Sequence, residues 1–229
     1  MEAIILAGGE GSRLRSVVSD VPKVLAPIQG KAFLFCLLSQ LAKAGLFSKI
    51  ILALGYKAAL VEAFLKEAPS FPFVIETSIE QSSLGTGGAI LQALGKVAQD
   101  NFWIINGDTF FDVSFAKMTA FHREKGADLS IACRWMDDRR RYGSLETDEE
   151  GRILHLREKS NELSRGLISG GIYLAEKHLF SSLPLKKASL EDDFFPLFLP
   201  KKILAFPQEG TFIDIGTPSS YFEAQTILR

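Results

Sequence analysis

Residues 1–23 read MEAIILAGGEGSRLRSVVSDVPK and join a short apolar run to a cluster of glycines. The apolar, partly β-branched residues 3–6 are typical of a buried strand in a parallel sheet. Gly8, Gly9 and Gly11 follow at once, and their missing Cβ atoms let the backbone curl and approach a ligand closely. Because N–H groups aimed into such a turn bind anions, this stretch predicts a phosphate-binding loop after the first strand.

Two cations follow the glycines, Arg13 and, directly after Pro22, Lys23. A guanidinium offers a planar fork and an ammonium a compact charge, so the pair suits a polyphosphate. The spacing is not that of a P-loop, and the third glycine of the dinucleotide pattern G-x-G-x-x-G would fall on Arg13, which favours a triphosphate over NAD. The alternative is an ordinary turn with two solvated cations. The residues predicted to bind the nucleotide here are Leu6, Ala7, Gly8, Gly9, Gly11, Ser12, Arg13 and Lys23.

The composition limits the class of protein. The chain has 229 residues, of which 47% are apolar, and a net charge of −1. This predicts a substantial core and gives no electrostatic reason to expect nucleic acid or a membrane surface as a partner. The sequence shows neither an apolar run of about 18 residues nor a signal-peptide pattern. Cys36 and Cys133 fit reduced core cysteines, so we expect a cytoplasmic protein.

Apolar runs alternate with amphipathic segments along the chain. Strands are expected at 3–6, 49–54, 73–76, 102–105, 127–134, 143–147, 153–158, 171–175, 202–205 and 211–213. Helices are expected at 33–43, 59–66, 84–97, 114–125, 191–199 and 218–228, with a turn at 27–31. This order predicts an α/β fold, a Rossmann-like three-layer α/β/α arrangement around a mostly parallel, mixed central sheet. No linker divides the chain, so we expect one domain, 1–229, with two lobes, 1–112 and 113–229.

Two aspartates stand just after predicted strands. Asp108 follows the strand at 102–105, and Asp214 follows the strand at 211–213. Open α/β sheets bind their ligands at the carboxyl ends of the strands. Mg²⁺ typically takes one or two carboxylates together with substrate phosphate oxygens. For either aspartate alone a capping role is the simpler interpretation, but the pair predicts a magnesium site.

A base-binding loop is predicted at Glu80, Gly85 and Thr86. The glycines of residues 85–88 can wrap a base, with Gly85 leaving room for the ring. A carboxylate only accepts hydrogen bonds. Guanine offers two adjacent donors, whereas uracil and thymine offer one donor between acceptors, so Glu80 favours guanine. The alternative is a surface glutamate after a strand.

Further candidates lie in the second half of the chain, each with a plainer alternative. Lys159, after Glu158, could hold a second phosphate or form a solvated pair at a sheet edge. Tyr142 and Gly143 could bring a backbone amide to a sugar hydroxyl. Glu191 could accept a sugar hydroxyl or cap the helix with the core residues Phe194, Phe195 and Phe198. The basic run 139–141 is most simply a solvated turn rather than a clamp on an acidic substrate.

Several stretches together resemble the sugar-1-phosphate nucleotidyltransferases, over essentially the whole chain. They are LAGGEGSRL with VPK near the N-terminus, INGD at 105–108, REKS at 157–160 for the family's EKP, and FIDIGTP at 212–218. SGGIY at 169–173 stands where the family commonly has NAGIY, with Ser169 in place of the asparagine that usually touches the sugar. Within the family, LGTGGAI, NGDTFFD and RYG most resemble the D-glycero-α-D-manno-heptose-1-phosphate guanylyltransferases.

The resemblance implies an enzyme that joins a nucleoside triphosphate, here GTP, to a sugar 1-phosphate, with Mg²⁺ on Asp108 and Asp214. It implies catalytic roles for Arg13, Lys23, Asp108 and Lys159. The sugar-phosphate residues would be Gly107, Tyr142, Gly143, Glu158, Lys159, Ser169, Gly170 and Glu191, which makes 113–229 the sugar-phosphate lobe. The length matches members without a C-terminal β-helix, and a monomer or homodimer is expected. The alternatives are a uridylyl- or thymidylyltransferase acting on a hexose or N-acetylmuramic acid 1-phosphate, and a non-catalytic nucleotide-sugar-binding regulatory protein.

Overall fold

The computed structural model describes residues 1–157 and 163–228. Its strands are β1 Glu2–Ala7, β2 Pro27–Ile28, β3 Lys31–Ala32, β4 Lys49–Leu54, β5 Val74–Ile79, β6 Asn101–Asn106, β7 Thr109–Phe111, β8 Leu129–Met136, β9 Ser144–Thr147, β10 Ile153–Arg157, β11 Gly166–Glu176, β12 Ile203–Pro207 and β13 Phe212–Asp214. Its α-helices are α1 Phe33–Ala44, α2 Ala58–Glu67, α3 Gly85–Ala93, α4 Phe115–Lys125, α5 Phe195–Phe198 and α6 Pro218–Ile227.

A nine-stranded mixed sheet forms the centre of the molecule. Its N-terminal part, in the order β5-β4-β1-β6, is parallel throughout. β11 joins this block by antiparallel pairing with β6, and it also pairs with β8 and β9. β12 then runs parallel to β8 at the far side. The prediction of an α/β fold around a mostly parallel, mixed sheet is confirmed.

The two faces of the sheet carry separate hydrophobic clusters. Ala3 and Ile5 of β1 belong to one cluster, and Ile4 between them belongs to the other. Successive side chains of a strand point to opposite faces, so β1 is buried on both sides, which requires a layer of helices on each face. This explains why residues 3–6 are apolar without alternation.

Several predicted segments differ in their bounds from the observed elements, and two of these differences have a local cause. Residues 27–31 form the β2–β3 hairpin, because Gln29 and Gly30 both take positive φ, 50° and 77°, the requirement of the tight hairpin turn. β11 is longer than the predicted strand at 171–175 because the sheet continues through Gly170 and Gly171 back to Gly166. The pairing with β8 shifts register between Ser169 and Tyr173, and Gly171 takes a φ of 72° there, which is typical of a bulge.

The described residues agree with two further expectations. Phe194, Phe195 and Phe198 are buried in the core, in a helical turn at 190–194 followed by the short α5. Both cysteines are free thiols, with Cys133 fully buried and Cys36 partly buried. Among the described residues, none of the helices has the length and apolar character that a membrane span needs.

Gly170 of β11 lies directly beneath the ring of Phe111 on β7. A Cβ atom there would be 2.7 Å from Phe111 Cε1 and 3.0 Å from the carbonyl oxygen of Ala132. We expect Gly170→Ala to lower the free energy of unfolding by about 1–3 kcal/mol, because the added methyl overfills a packed core. Denaturant titration of the purified variant measures this.

Gly95→Ala is the matched control, since a Cβ at Gly95 would meet nothing within 4 Å. It should leave the stability unchanged or raise it slightly. Equal stability of Gly170→Ala and the wild type would contradict the packing described here.

Candidate active site

A cavity of about 550 Å³ opens at the carboxyl ends of β1, β4 and β6. This is the edge of the sheet at which an α/β fold presents loops to a ligand. Its lining includes every residue predicted to bind the nucleotide, together with three residues of the INGD stretch: Leu6, Ala7, Gly8, Gly9, Gly11, Ser12, Arg13, Lys23, Glu80, Gly85, Thr86, Asn106, Gly107 and Asp108. The fold therefore brings segments far apart in sequence to one concave surface.

Glycines at this edge allow neighbouring backbones to come close. A Cβ at Gly107 would lie 2.5 Å from the carbonyl oxygen of Leu6, which accepts the N–H of Gly107 at 2.9 Å. A Cβ at Gly8 would lie 3.2 Å from the backbone nitrogen of Gly55. Gly11 takes a φ of 61° beside Lys23. The turn after β1 is thus shaped by close contacts with the turns after β4 and β6.

Lys23 lies between the two predicted metal aspartates. Its Nζ donates to Asp108 Oδ2 at 2.5 Å and is 3.9 Å from Asp214 Oδ1. The pairing of β7 with β13 places the aspartates side by side, since Asp214 lies opposite Thr109 and the N–H of Ile215 donates to the carbonyl of Asp108 at 3.0 Å. One cationic group therefore faces both carboxylates.

The two aspartates fit a hard divalent cation by the chemistry of their oxygens. They already converge on a single positive group, and their number suits Mg²⁺, which completes its shell with water and phosphate oxygens. Within residues 1–157 and 163–228, no group of three or more His, Cys, Asp or Glu side chains could form an all-protein metal site. A cation here would take its remaining ligands from water or from the substrate.

Arg13 lies in a short 3₁₀ turn, Ser12–Leu14, which the buried side chain of Leu14 anchors. The turn places Arg13 at the cavity wall, with an exposed side chain. Arg13 has no ion-pair partner in the part of the chain that the structure describes, whereas the neighbouring Arg15 pairs with Glu10 at 3.0 Å. The positive charge of Arg13 is therefore available to an anion in the cavity.

Glu80 follows β5 and faces the same cavity. Its Oε2 accepts the N–H of Leu84 at 2.9 Å, while Oε1 lies beside Gly8 and Gly55, where an added Cβ at Gly55 would overlap it. Gly85 also lines the cavity, but the reason predicted for this glycine was wrong. A Cβ at Gly85 would point at the carbonyl oxygen of Ala188, 2.5 Å away, so the glycine admits a neighbouring backbone rather than a base.

The predicted sugar-side residues form a second group, connected by hydrogen bonds. Ser169 Oγ donates to Tyr173 OH at 3.1 Å, and Tyr173 OH donates to Glu191 Oε1 at 3.3 Å. Burial raises the pKa of the Glu191 carboxyl, and the charges of Asp192 and Asp108 raise it further. The carboxyl of Glu191 is therefore affected by the charge of Asp108.

Other sugar-side predictions had different outcomes. Gly170 is buried under Phe111, so it offers no surface to a ligand, and its prediction as a sugar contact was wrong. The N–H of Tyr142 donates to the carbonyl of Arg139 at 2.8 Å, so this amide is already used within the protein. The predicted backbone contact with a sugar hydroxyl would therefore come from Gly143. The predicted residues Glu158 and Lys159 lie outside the described residues.

Arg141 and Gly216 are among the residues of this site that sequence reasoning missed. The Arg141 guanidinium donates to Ser220 Oγ at 3.2 Å and lies 3.8 Å from Asp214 Oδ2, so the basic run is more than a solvated turn. Gly216 donates its N–H to Asp214 Oδ1 at 2.6 Å and lines the cavity. The glycine in FIDIGTP was visible in the sequence, but its contact with Asp214 depends on the turn after β13.

A protein-family model described as nucleotidyl transferase matches residues 2–229. The chain belongs to the nucleotidyl transferase family. D-glycero-alpha-D-manno-heptose 1-phosphate guanylyltransferase of Aneurinibacillus thermoaerophilus is 44% identical over 231 residues, covering 100% of this chain and 99% of its own length. The protein of the same name from Campylobacter jejuni subsp. jejuni serotype O:2 is 37% identical, over 97% of both chains.

Solved structures of similar proteins have the same fold. HddC from Yersinia pseudotuberculosis, in its crystal structure complexed with GMP-PN, is 36% identical and has a TM-score of 0.90. The match covers 100% of this chain and 99% of that one. The family resemblance stated from the motifs is therefore confirmed, and nucleotidyl transferases generally use a divalent metal ion.

Gly216→Ala tests whether the nucleotidyl transferase depends on the arrangement around Lys23. The new Cβ would lie 2.6 Å from Asp214 Oδ1 and 3.0 Å from Lys23 Nζ, so one of these groups must move. We expect the dissociation constant for a nucleoside triphosphate with its divalent cation to rise at least about tenfold, because charged hydrogen bonds are worth about 1.5–3 kcal/mol. Isothermal titration calorimetry measures it.

Gly216 is buried as well as lining the cavity, so thermal unfolding is measured on the same variant and binding is compared at a temperature at which both proteins are folded. Gly95→Ala again serves as a control that leaves binding unchanged. Wild-type affinity in Gly216→Ala would show that the positions of Asp214 and Lys23 do not matter for binding.

Proposed function

We propose that this nucleotidyl transferase transfers a guanylyl group from GTP to D-glycero-α-D-manno-heptose 1-phosphate, giving GDP-heptose and pyrophosphate for surface polysaccharide or glycoconjugate synthesis in the cytoplasm. The observation that carries the proposal is the convergence of Lys23, Asp108 and Asp214 at the wall of a cavity formed by the glycine turn and Arg13. The names of the two relatives that match over nearly their whole length support the choice of substrates.

The chemistry needs charge neutralisation and alignment rather than a covalent intermediate. An oxygen of the sugar phosphate attacks the α-phosphorus of GTP in line, a new P–O bond forms, and the bond to the pyrophosphate oxygen breaks. Two anions must meet in this step, and the departing pyrophosphate gains charge. Arg13 would stabilise that charge, and Lys23 would hold the triphosphate and orient the α-phosphoryl group.

The carboxylates of Asp108 and Asp214 would hold Mg²⁺, which would supply positive charge to neutralise the reacting phosphates. In the structure Lys23 donates to Asp108, so the ammonium must release this carboxylate when it turns to the triphosphate. We propose that Lys159, outside the described residues, brings in the attacking phosphate. Glu191 would accept a sugar hydroxyl, oriented by the Tyr173 hydroxyl.

Arg13→Ala and Asp108→Ala should fold but turn over at least ~100-fold more slowly, because one preorganised charge is worth about 2.7–4 kcal/mol in such a barrier. Pyrophosphate release with GTP and the heptose 1-phosphate measures the rate. Arg15→Ala is the matched control for Arg13, since it removes an arginine two residues away that pairs with Glu10. Near-normal turnover in Arg13→Ala or Asp108→Ala would refute their assigned roles.

Base choice is tested with a panel of four nucleoside triphosphates and the variant Glu80→Gln. The amide oxygen can still accept the N–H of Leu84, but the second acceptor becomes a donor. We expect kcat/KM for GTP to fall about 10- to 100-fold, the loss of a charged hydrogen bond of about 1.5–3 kcal/mol. A wild type that prefers UTP or dTTP would favour the uridylyl- or thymidylyltransferase alternative instead.

A regulatory protein that only binds nucleotide sugars is the alternative from another class. The described cluster of Arg13, Lys23, Asp108 and Asp214 favours catalysis, because a binding protein has no need of paired carboxylates facing a lysine. Nucleotide binding without pyrophosphate release, across heptose, mannose, glucose and N-acetylhexosamine 1-phosphates, would favour the regulatory alternative.

A further inference from the structure

The glycine-rich turn at residues 84–88 is docked against the segment at residues 186–194. The N–H of Ala188 donates to the carbonyl of Leu84 at 2.9 Å, and the carbonyl of Ala188 accepts the N–H of Gly87 at 2.9 Å. A Cβ at Gly87 would lie 2.7 Å from the Phe194 ring, and one at Gly88 would lie 2.5 Å from the carbonyl of Lys186. These glycines, in the first turn of α3, therefore allow close packing of α3 against residues 186–194.

Thr86 links the same two segments through its side chain. It lines the cavity, and its Oγ1 accepts the N–H of Leu190 at 2.7 Å. Leu190 is the first residue of the helical turn at 190–194, whose opening N–H groups have no partner within the helix. Within this turn the Ser189 hydroxyl accepts the N–H of Asp192. Thr86 accepts the N–H of Leu190 from outside the turn, as a helix-capping side chain usually does from within it.

Glu191 is the next residue in the chain, and its carboxylate accepts from the Tyr173 hydroxyl at 3.3 Å. Its position is thus fixed from two sides, by Tyr173 at the carboxylate and by Thr86 through the backbone of Leu190. Leu190 itself is buried, which leaves little room for this backbone to shift.

We propose that Thr86 is a positioning residue for Glu191, so that a side chain in the wall of the nucleotide cavity sets affinity for the sugar 1-phosphate. The proposal rests on the function proposed above, in which Glu191 accepts a sugar hydroxyl. It differs from the expectation that Thr86 contacts the nucleotide, because the hydroxyl accepts the Leu190 N–H through one of its lone pairs and so connects to the backbone beside Glu191.

The test compares Thr86→Val, which keeps the shape and removes the acceptor, with Thr86→Ser, which keeps the acceptor. We expect Thr86→Val to raise the KM for the sugar 1-phosphate roughly tenfold, the effect of an unsatisfied amide on a buried turn. The dissociation constant for GTP should stay within about twofold of the wild type. Thr86→Ser should restore the wild-type KM.

Amide hydrogen exchange gives a readout that does not depend on turnover. Exchange of the Leu190 N–H should speed up in Thr86→Val and remain slow in Thr86→Ser, since only the valine removes its acceptor. This measurement detects the hydrogen bond itself and is followed by mass spectrometry or NMR of the free protein.

Three outcomes would overturn the proposal. A rise in the dissociation constant for GTP with an unchanged sugar KM would make Thr86 a nucleotide contact. Wild-type values of both constants in Thr86→Val would show that the link has no effect on binding. Equal defects in the serine and valine variants would show that shape, not the hydrogen bond, matters. The proposed function fails on a different result, namely a wild type that releases no pyrophosphate with any sugar 1-phosphate.

Discussion

The site depends on one ammonium group placed between two carboxylates. Lys23 is the most enclosed of the three, with 11% of its side chain exposed against 38% for Asp108 and 22% for Asp214. An enclosed charge is costly unless it is paired, and here the paired groups come from positions 85 and 191 residues further along the chain. The fold must therefore bring residues 23, 108 and 214 together before the cavity can hold an anion.

The backbone achieves this with a small number of contacts at the carboxyl edge of the sheet. β6 ends next to the turn after β1, where Gly107 and Leu6 touch, and the chain then continues into β7. β7 pairs with β13, so Asp108 and Asp214 are held by one short antiparallel ladder rather than by two flexible loops. A single ladder fixes their spacing, which is what a shared cation requires.

Much of the fold could be predicted because its signals are local. The strand at residues 3–6, the glycine turn and the helix with Leu34, Leu37, Leu38 and Leu41 each show a pattern within a few neighbouring residues. The turn at 27–31 was predicted, but its two short strands, β2 and β3, were not, since glutamine rarely takes the positive φ that Gln29 has in this hairpin. The end of β11 was misjudged because glycines in a strand look like a boundary until the bulge is seen.

The candidate site shows the same division. Residues whose role depends on type and position after a strand, such as Arg13 and Asp108, could be proposed from sequence. Arg141 and Gly216 could not, because their roles depend on contacts with Asp214 that only the folded chain makes. The glycines at 85, 87 and 88 are the clearest case. Glycine is needed both where a ligand comes close and where another backbone comes close, so the sequence alone does not distinguish the two.

We predicted a nucleotide-binding lobe, 1–112, and a sugar-phosphate-binding lobe, 113–229. This division follows the order of residues in the chain, but residues of both parts form the candidate site. Asp214 and Gly216 from the second part complete the arrangement around Lys23. In return, the turn at 84–88 from the first part supports the backbone beside Glu191. Each half of the chain thus supplies part of the wall of the binding surface proposed for the other. If Thr86 positions Glu191 as proposed, a substitution in the wall of the nucleotide cavity changes affinity at the proposed sugar surface.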